Sequence, residues 1–430
     1  MRICIITVAF FTFFAGNIIN LQAQSKPNIV FIYTDDQAYY TIRALGNKEI
    51  ETPNLDRLVK SGRSFTNAYN MGAWHGAVCV ASRSMIITGR TVWNARKMEE
   101  SWGRGEASDL TWGKIMQHAG YETYMTGKWH VNIAPEKVFQ HVSDVKPGMP
   151  PYETPANAKL PGFVSNKNLN TPGYNRPVND NDETWSPYDT SYGGFWKGGT
   201  HWSVMFKNNA IAHIQAAAKQ DKPFFLYLAS NAPHDPRQSP KEYVDKYPPD
   251  RISMPKSWLP QNPYRYSIGN SASLRDEALA PYPRTALAIK THTREYYAAI
   301  TFLDKQVGAI LDALDATGKM DNTYIFFTAD HGLAMGRHGF MGKQTLFEHS
   351  MKPPLIVAGP GIPANTICET PVYLQDIMAT SLELAKAPKP DYVEFQSLLS
   401  LAIGTSTKNI HQAIYGGYMD LHRSVRVGNY

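Results

Sequence analysis

The run Cys79-Val80-Ala81-Ser82-Arg83, continued by Thr88-Gly89-Arg90, sets a nucleophile four residues ahead of a cation. The apolar residues after Cys79 predict a helix with the cysteine at its start. The free N–H groups of a helix N-terminus, its dipole and Arg83 all attract an anion there. Taken alone, the run also reads as a buried structural cysteine beside a surface arginine. Similar groups recur at Asp35-Asp36, at Gly127-Lys128-Trp129-His130, at Pro233-His234-Asp235 and at Asp330-His331-Gly332, with Lys343 beyond them. Each of these has a plain reading of its own: a turn or helix cap for the acidic pair, loop histidines for His130 and His234, a turn for Asp-His-Gly, a solvated lysine for Lys343. Their joint occurrence is harder to explain that way.

What joins them is the element before each one. Near-continuous apolar runs at 28–34, 121–126, 224–229 and 324–328 predict buried strands, and each runs directly into one of these clusters. Helical patterns lie between them, at 52–62 with Thr52 as cap and Pro53 in the first turn, at 110–118, at 294–316 and at 374–387. Leu355 to Ala358 predicts a further strand. Strands alternating with helices predict an α/β fold, a large central mostly parallel sheet sandwiched by helices. In such sheets ligands bind outside the carboxyl ends of the strands, so the clusters converge there, beside the helix at Cys79. Two stretches, 141–199 and 236–283, are rich in Pro, Asn, Asp, Gly and Tyr and read as walls or lids of a site.

The chain has 430 residues, a formal net charge of +6 and three cysteines. Residues 1–23 read as a signal peptide: Arg2, then an apolar run from Ile3 to Ile19, then a small residue at Ala23 before the cut. That implies export, to the periplasm or the medium of a bacterium, with no stable membrane association. Cys4 leaves with this segment, so no disulfide framework is expected, and Cys79 is available for chemistry while Cys368 reads as a small buried residue. Charges of both signs are scattered, which argues against nucleic acid as a partner and suits an anionic small molecule or glycan.

Together these pieces resemble the formylglycine-dependent type I sulfatases of the alkaline phosphatase superfamily, in particular bacterial carbohydrate sulfatases. The resemblance runs from about Lys26 to about Leu384. It is carried by 27–36, by Thr52 to Leu58, by the Cys79 motif, and by Gly127-Lys128-Trp129-His130. Pro233-His234-Asp235-Pro236, 328–332, Gly342-Lys343-Gln344 and His349-Ser350 complete it. It implies that a maturase oxidises Cys79 to formylglycine, whose hydrate attacks sulfur and then collapses to expel sulfate. It implies Asp35, Asp36, Asp330, His331 and the modified Cys79 as ligands of one divalent cation, calcium or else magnesium. Asp330 doubles as base, Arg83 and His130 hold the hydrate, Lys128 and Lys343 neutralise sulfate oxygens, and His234 protonates the leaving alcohol.

The resemblance also implies a signal peptide at 1–23, a catalytic domain over 24–390 and a small C-terminal antiparallel sheet over 391–430. That sheet looks truncated, because only 414–418 and 424–427 read as its strands. Ala81 stands where proline is commonest in the family, which bears on the maturase more than on the reaction. For the alcohol half of the substrate, Trp74, His75, Asp235 and Arg237 are the candidate contacts, with His201-Trp202 and Trp102 to Arg104 behind them. Aromatic faces and charges suit a sulfated glycan. An arylsulfatase, a phosphonate or phosphate ester hydrolase on the same scaffold, and an inactive glycan-binding relative stay open.

Overall fold

The computed structural model describes residues 26–106, 109–153, 173–272, 274–428 and 430; the expected signal peptide lies outside them. Asn28–Thr34 is wholly buried and lies in the middle of an eight-stranded sheet. Thr323–Ala329 and Phe224–Ala229 flank it in parallel, and Glu122–Lys128 and His141–Lys146 extend the sheet on the Phe224 side. On the other side come Leu355–Ala358, Arg63–Phe65 and Thr366–Cys368. Leu355–Ala358 runs against both of its neighbours; the other strands run together.

Burial on both faces explains why the central strand reads as an unbroken apolar run rather than an alternating one. Its side chains still alternate in direction. Ile29, Phe31 and Tyr33 enter one apolar layer with Ile86, Ile87, Trp112 and Leu382, while Val30 and Ile32 enter another with Leu55, Leu58, Ile214, Leu303 and Val307. The first layer is covered by the helices Val78–Thr88, Trp112–His118 and Asp376–Leu384. The second is covered by Pro53–Ser61, Trp202–Ala218 and Ala286–Asp315. Trp112 is fully buried against Phe31 and Phe225, and its indole N–H donates to Ser381 Oγ at 2.7 Å, which satisfies the one polar atom it carries into the core.

Two local expectations change. The long helix begins at Ala286, eight residues before the predicted Arg294, because Thr285 caps it by accepting from the Ala288 amide. Thr52 does not cap the Pro53–Ser61 helix; its hydroxyl donates to Asp56 Oδ1. The free amides of Asn54 and Leu55 instead donate to Asp304 of the long helix, the second at 2.7 Å. A carboxylate from another helix thus caps this one and complements its dipole.

The C-terminal residues form the antiparallel hairpin Ile414–Tyr418 and His422–Arg426. Its first strand also pairs in parallel with Gly72–Ala73, giving a three-stranded sheet that borrows a strand from just ahead of Cys79. Gly72 permits this: it has φ +95°, and a Cβ there would lie 2.0 Å from the Gly417 carbonyl oxygen. Val393, Leu398, Leu401 and Ala402 pack into the same apolar layer as Phe31 and Trp112. Among the described residues, no helix is long and apolar enough to cross a membrane.

Candidate active site

The carboxyl ends of the parallel strands deliver their clusters to one place. Asp35 and Asp36 leave Asn28–Thr34, Lys128 ends its strand, and Asp330 follows Thr323–Ala329. Cys79 is the second residue of the Val78–Thr88 helix and is 3 % exposed. Its Sγ lies 3.1 Å from Lys343 Nζ, 3.5 Å from Asp35 Oδ1 and 3.9 Å from Asp36 Oδ1. Lys343 Nζ is 2.5 Å from both oxygens of Asp36, and Lys128 Nζ pairs with Asp35. Arg83, one turn along the helix from Cys79, donates from Nε to Asp330 Oδ2 at 3.2 Å and from Nη1 to the Lys128 carbonyl at 2.9 Å.

Three buried carboxylates here face three buried cations. Burial and the neighbouring Asp330 carry the Asp35 carboxyl well above its ordinary range, against the pull of Lys128. Burial pushes Asp36 up to about 6 although Lys343 lowers it. Asp330 is also buried, yet Arg83 and Lys128 hold it well below the usual carboxylate range. Burial raises the Cys79 thiol far enough to outweigh both lysines, so as a thiol it stays protonated and unreactive. His130 drops to about 2 through burial and the charge of Lys128, and burial with Lys343 takes His234 well below its ordinary value.

Lys128, Lys343 and Arg83 offset the three carboxylates, and the oxygen-rich donor set also suits a hard divalent ion. One ligand atom each from Asp35, Asp36, Cys79 and His234 lie within 4.8 Å of one another. That set differs from the expected one. Asp330 Oδ1 already accepts from the amides of Asp36 and His331, both at 3.0 Å. His331 donates from Nε2 to the Val78 carbonyl at 2.8 Å, which leaves its buried Nδ1 as a lone pair with no partner. An orphaned lone pair beside buried carboxylates fits a cation ligand.

A cavity of about 320 Å³ opens onto these groups, lined by Cys79, His130, His234, Lys343, Gln344 and Arg275 among others. Its wall at Gly148 touches His130 so closely that no side chain fits between them. A larger cavity of about 430 Å³ opens between Arg57, Leu311, Asp312 and Met320, and holds neither histidine nor cysteine. Chemistry, not volume, picks the former.

The alcohol-side candidates are placed unevenly. Trp74 and His75 are half-buried and stand edge to face just ahead of the pocket residues Gly76 and Ala77. Asp235 is buried behind the wall, where it accepts from Tyr174 and from Arg275 Nη1 at 3.0 Å and sits 3.2 Å from His234 Nδ1. Arg237 does not reach the cavity: it is 1 % exposed, bonds His292 Nδ1 at 3.2 Å and lies over the Tyr296 ring. His201, Trp202 and Trp102 are likewise buried in the body of the fold. The residue missed is Arg275, whose guanidinium comes within 3.3 Å of His234 Nε2 with its side chain 30 % exposed. Its segment was legible as a wall, but nothing in the local pattern singles out one arginine.

The sulfatase family model matches residues 27–387. The chain belongs to the sulfatase family. This sulfatase is 30 % identical to an arylsulfatase of Clostridium perfringens, over 87 % of its own length and 78 % of the relative's. Among solved structures it resembles a protein in complex with its substrate D-glucosamine-2-N,6-O-disulfate, with a TM-score of 0.67 and 20 % identity over 94 % of this chain and 87 % of that one. It also resembles the phosphonate monoester hydrolase of Silicibacter pomeroyi, with a TM-score of 0.66 and 22 % identity over 91 % and 79 %. The sulfatase is thus an enzyme of sulfuric ester hydrolysis on an α/β fold that phosphonate hydrolases share.

Proposed function

We propose that this sulfatase removes sulfate from a sulfated carbohydrate, using formylglycine made from Cys79 as its nucleophile. The observation that carries the reading is the setting of Cys79: a helix N-terminus, Lys343 at 3.1 Å, Lys128 and Arg83 behind it, and two carboxylates, Asp35 and Asp36, within reach of one ion. Burial holds the thiol itself protonated, so the position needs different chemistry at Cβ to act as a nucleophile. Calcium or magnesium held by Asp35, Asp36, Asp330 and His331 would supply a positive centre for a sulfate oxygen and lower the pKa of a hydroxyl nearby. Lys128 and Lys343 then neutralise further charge on the sulfate, and His130 and Arg83 keep the nucleophile in line. Asp330, held ionised by Arg83 and Lys128, would serve as ligand and as base. His234 is held against Asp235 with Nε2 in the cavity, where a leaving oxygen would lie.

Half-buried Trp74 and His75 at the rim, and Arg275 in the wall, offer a sugar ring a stacking face and an anionic substituent a partner. The likeness to a protein that takes a disulfated glucosamine supports the same class of substrate. The likeness to a phosphonate hydrolase keeps phosphonate esters as the second reading. The test compares sulfate release from sulfated oligosaccharides with turnover of 4-nitrophenyl sulfate and of a phenyl phosphonate monoester, alongside mass spectrometry of the Cys79 peptide made with and without a maturase. Faster turnover of the phosphonate than of any sulfate ester overturns the proposal.

A further inference from the structure

A separate cavity of about 540 Å³ lies where the Val92–Gly103 helix meets the C-terminal hairpin, lined by Trp93, Arg96, Lys97, Glu100, Asp420 and Arg423. The Arg423 guanidinium sits 4.7 Å from the centre of the Trp93 ring. Its Nη1 donates to the carbonyls of Met419 and His422, at 2.7 and 2.6 Å, which hold it in that place. Trp93 is fixed in turn: its indole N–H donates to Tyr415 Oη at 3.1 Å, and Gly417 packs against its edge. The cation is therefore pre-positioned, so an anion that meets it bears little ordering cost.

The cavity mixes three cations with two carboxylates. Arg96, paired with Glu100 at 2.8 Å, and Arg423, 4.0 Å from Asp420, are partly exposed and with Lys97 suit sulfate. It also lies near the rim of the catalytic pocket. Trp93 and Trp74 pack on one apolar cluster, with Met71, Met85, Val92 and Ile414. Trp74 meets His75, and His75 directly precedes the pocket residues Gly76 and Ala77. Burial holds His75 below its ordinary value, and the charge of Arg96 adds to that, so the histidine at the rim lies within the field of the second cavity.

We infer that this cavity is a second sugar-binding site, taking a sulfated residue of the same chain whose sulfate ester lies at Cys79. The inference rests on the carbohydrate reading above. It makes the enzyme one that grips a polymer or oligomer along a track from Arg275 past Trp74 and Arg96 to Arg423.

The test is the mobility of the whole enzyme in native gels containing carrageenan, ulvan or heparin, with unsulfated agarose as the neutral polymer. The double variant Arg96→Gln/Arg423→Gln removes two cations of the cavity, and Lys219→Gln/Lys222→Gln removes the same charge elsewhere. The enzyme is expected to be retarded by at least one sulfated polymer, with the affinity falling about tenfold in the first variant, the product of two partly exposed charges. The second variant should stay within twofold of the parent. The melting temperature should be the same in all three, to within a few degrees. Retardation by none of the polymers, or equal weakening in both variants, overturns the second site. Absence of 4-nitrophenyl sulfate turnover in the parent tells against the catalytic reading and leaves the gel result to judge the cavity by itself.

Discussion

Placing a single methyl group at Gly148 tests whether His130 is held in a working position. A Cβ there would lie 2.4 Å from His130 Cε1 and Nε2 and 2.6 Å from Nδ1. Non-bonded heavy atoms rest at about 3.5–4.0 Å, so the ring must retreat by roughly 1 Å. Gly148 has no positive φ, so alanine fits its backbone and the clash is the whole effect. The His130 ring lines the cavity, so it yields into the space where substrate would lie. A displacement of that size at a catalytic group lowers turnover by about a hundredfold. Gly148→Ala should therefore lose about that much kcat on 4-nitrophenyl sulfate while its melting temperature stays within about 3 °C of the parent, because the site lies on a pocket wall and not in the core. His130→Ala and the double variant Gly148→Ala/His130→Ala should have the same kcat, because the wedge has nothing left to push. A Gly148→Ala enzyme within twofold of the parent, or losses that multiply in the double variant, would refute the reasoning.

Cys79→Ala should remove all measurable sulfate ester turnover and leave the melting temperature unchanged to within a few degrees; retained activity sinks the nucleophile. Asp35→Asn should weaken calcium binding, followed by calorimetry, and activity together, by about a hundredfold or more, since it takes away a ligand and leaves Lys128 facing a neutral group. An Asp35→Asn protein as active as the parent after chelator treatment would rule out the cation. Asp304→Ala should cost about 2–3 kcal/mol in urea unfolding, because it strands the buried amides of Asn54 and Leu55, while kcat holds; a loss under 0.5 kcal/mol would show those amides to be otherwise satisfied.

The parallel strands and the groups at their ends were legible because both come from local patterns. An apolar run buried on both faces has to be a strand of a sheet's interior, and Asp35-Asp36, Lys128 and Asp330 follow such runs within two residues. Loops lack that periodicity. The expected wall at 236–283 is present, but Arg237 turns inward to His292 while Arg275 faces the cavity, and composition does not distinguish two arginines. The same holds for the cap on Pro53–Ser61. Thr52 is the local solution, yet Asp304, some 250 positions away, is the one used. The pairing of Ile414–Tyr418 with Gly72–Ala73 was equally hidden, because a two-residue strand has no signature and its partner is set by tertiary packing.

That pairing has a consequence for the order of events as the chain is made. Gly72–Ala73 emerges from the ribosome more than three hundred residues before its partner, so the segment leading into Cys79 has an unpaired edge for most of synthesis. In the finished protein Cys79 is 3 % exposed and fixed in a helix, so an enzyme that modified it would find no extended stretch of chain there. If Cys79 is oxidised to the aldehyde as proposed, that step has a window, open while the nucleophile segment waits and shut when the last hairpin docks. A chain that folds faster than it is visited would be well formed and inert, and the yield of active enzyme would be set by a race between modification and folding rather than by stability.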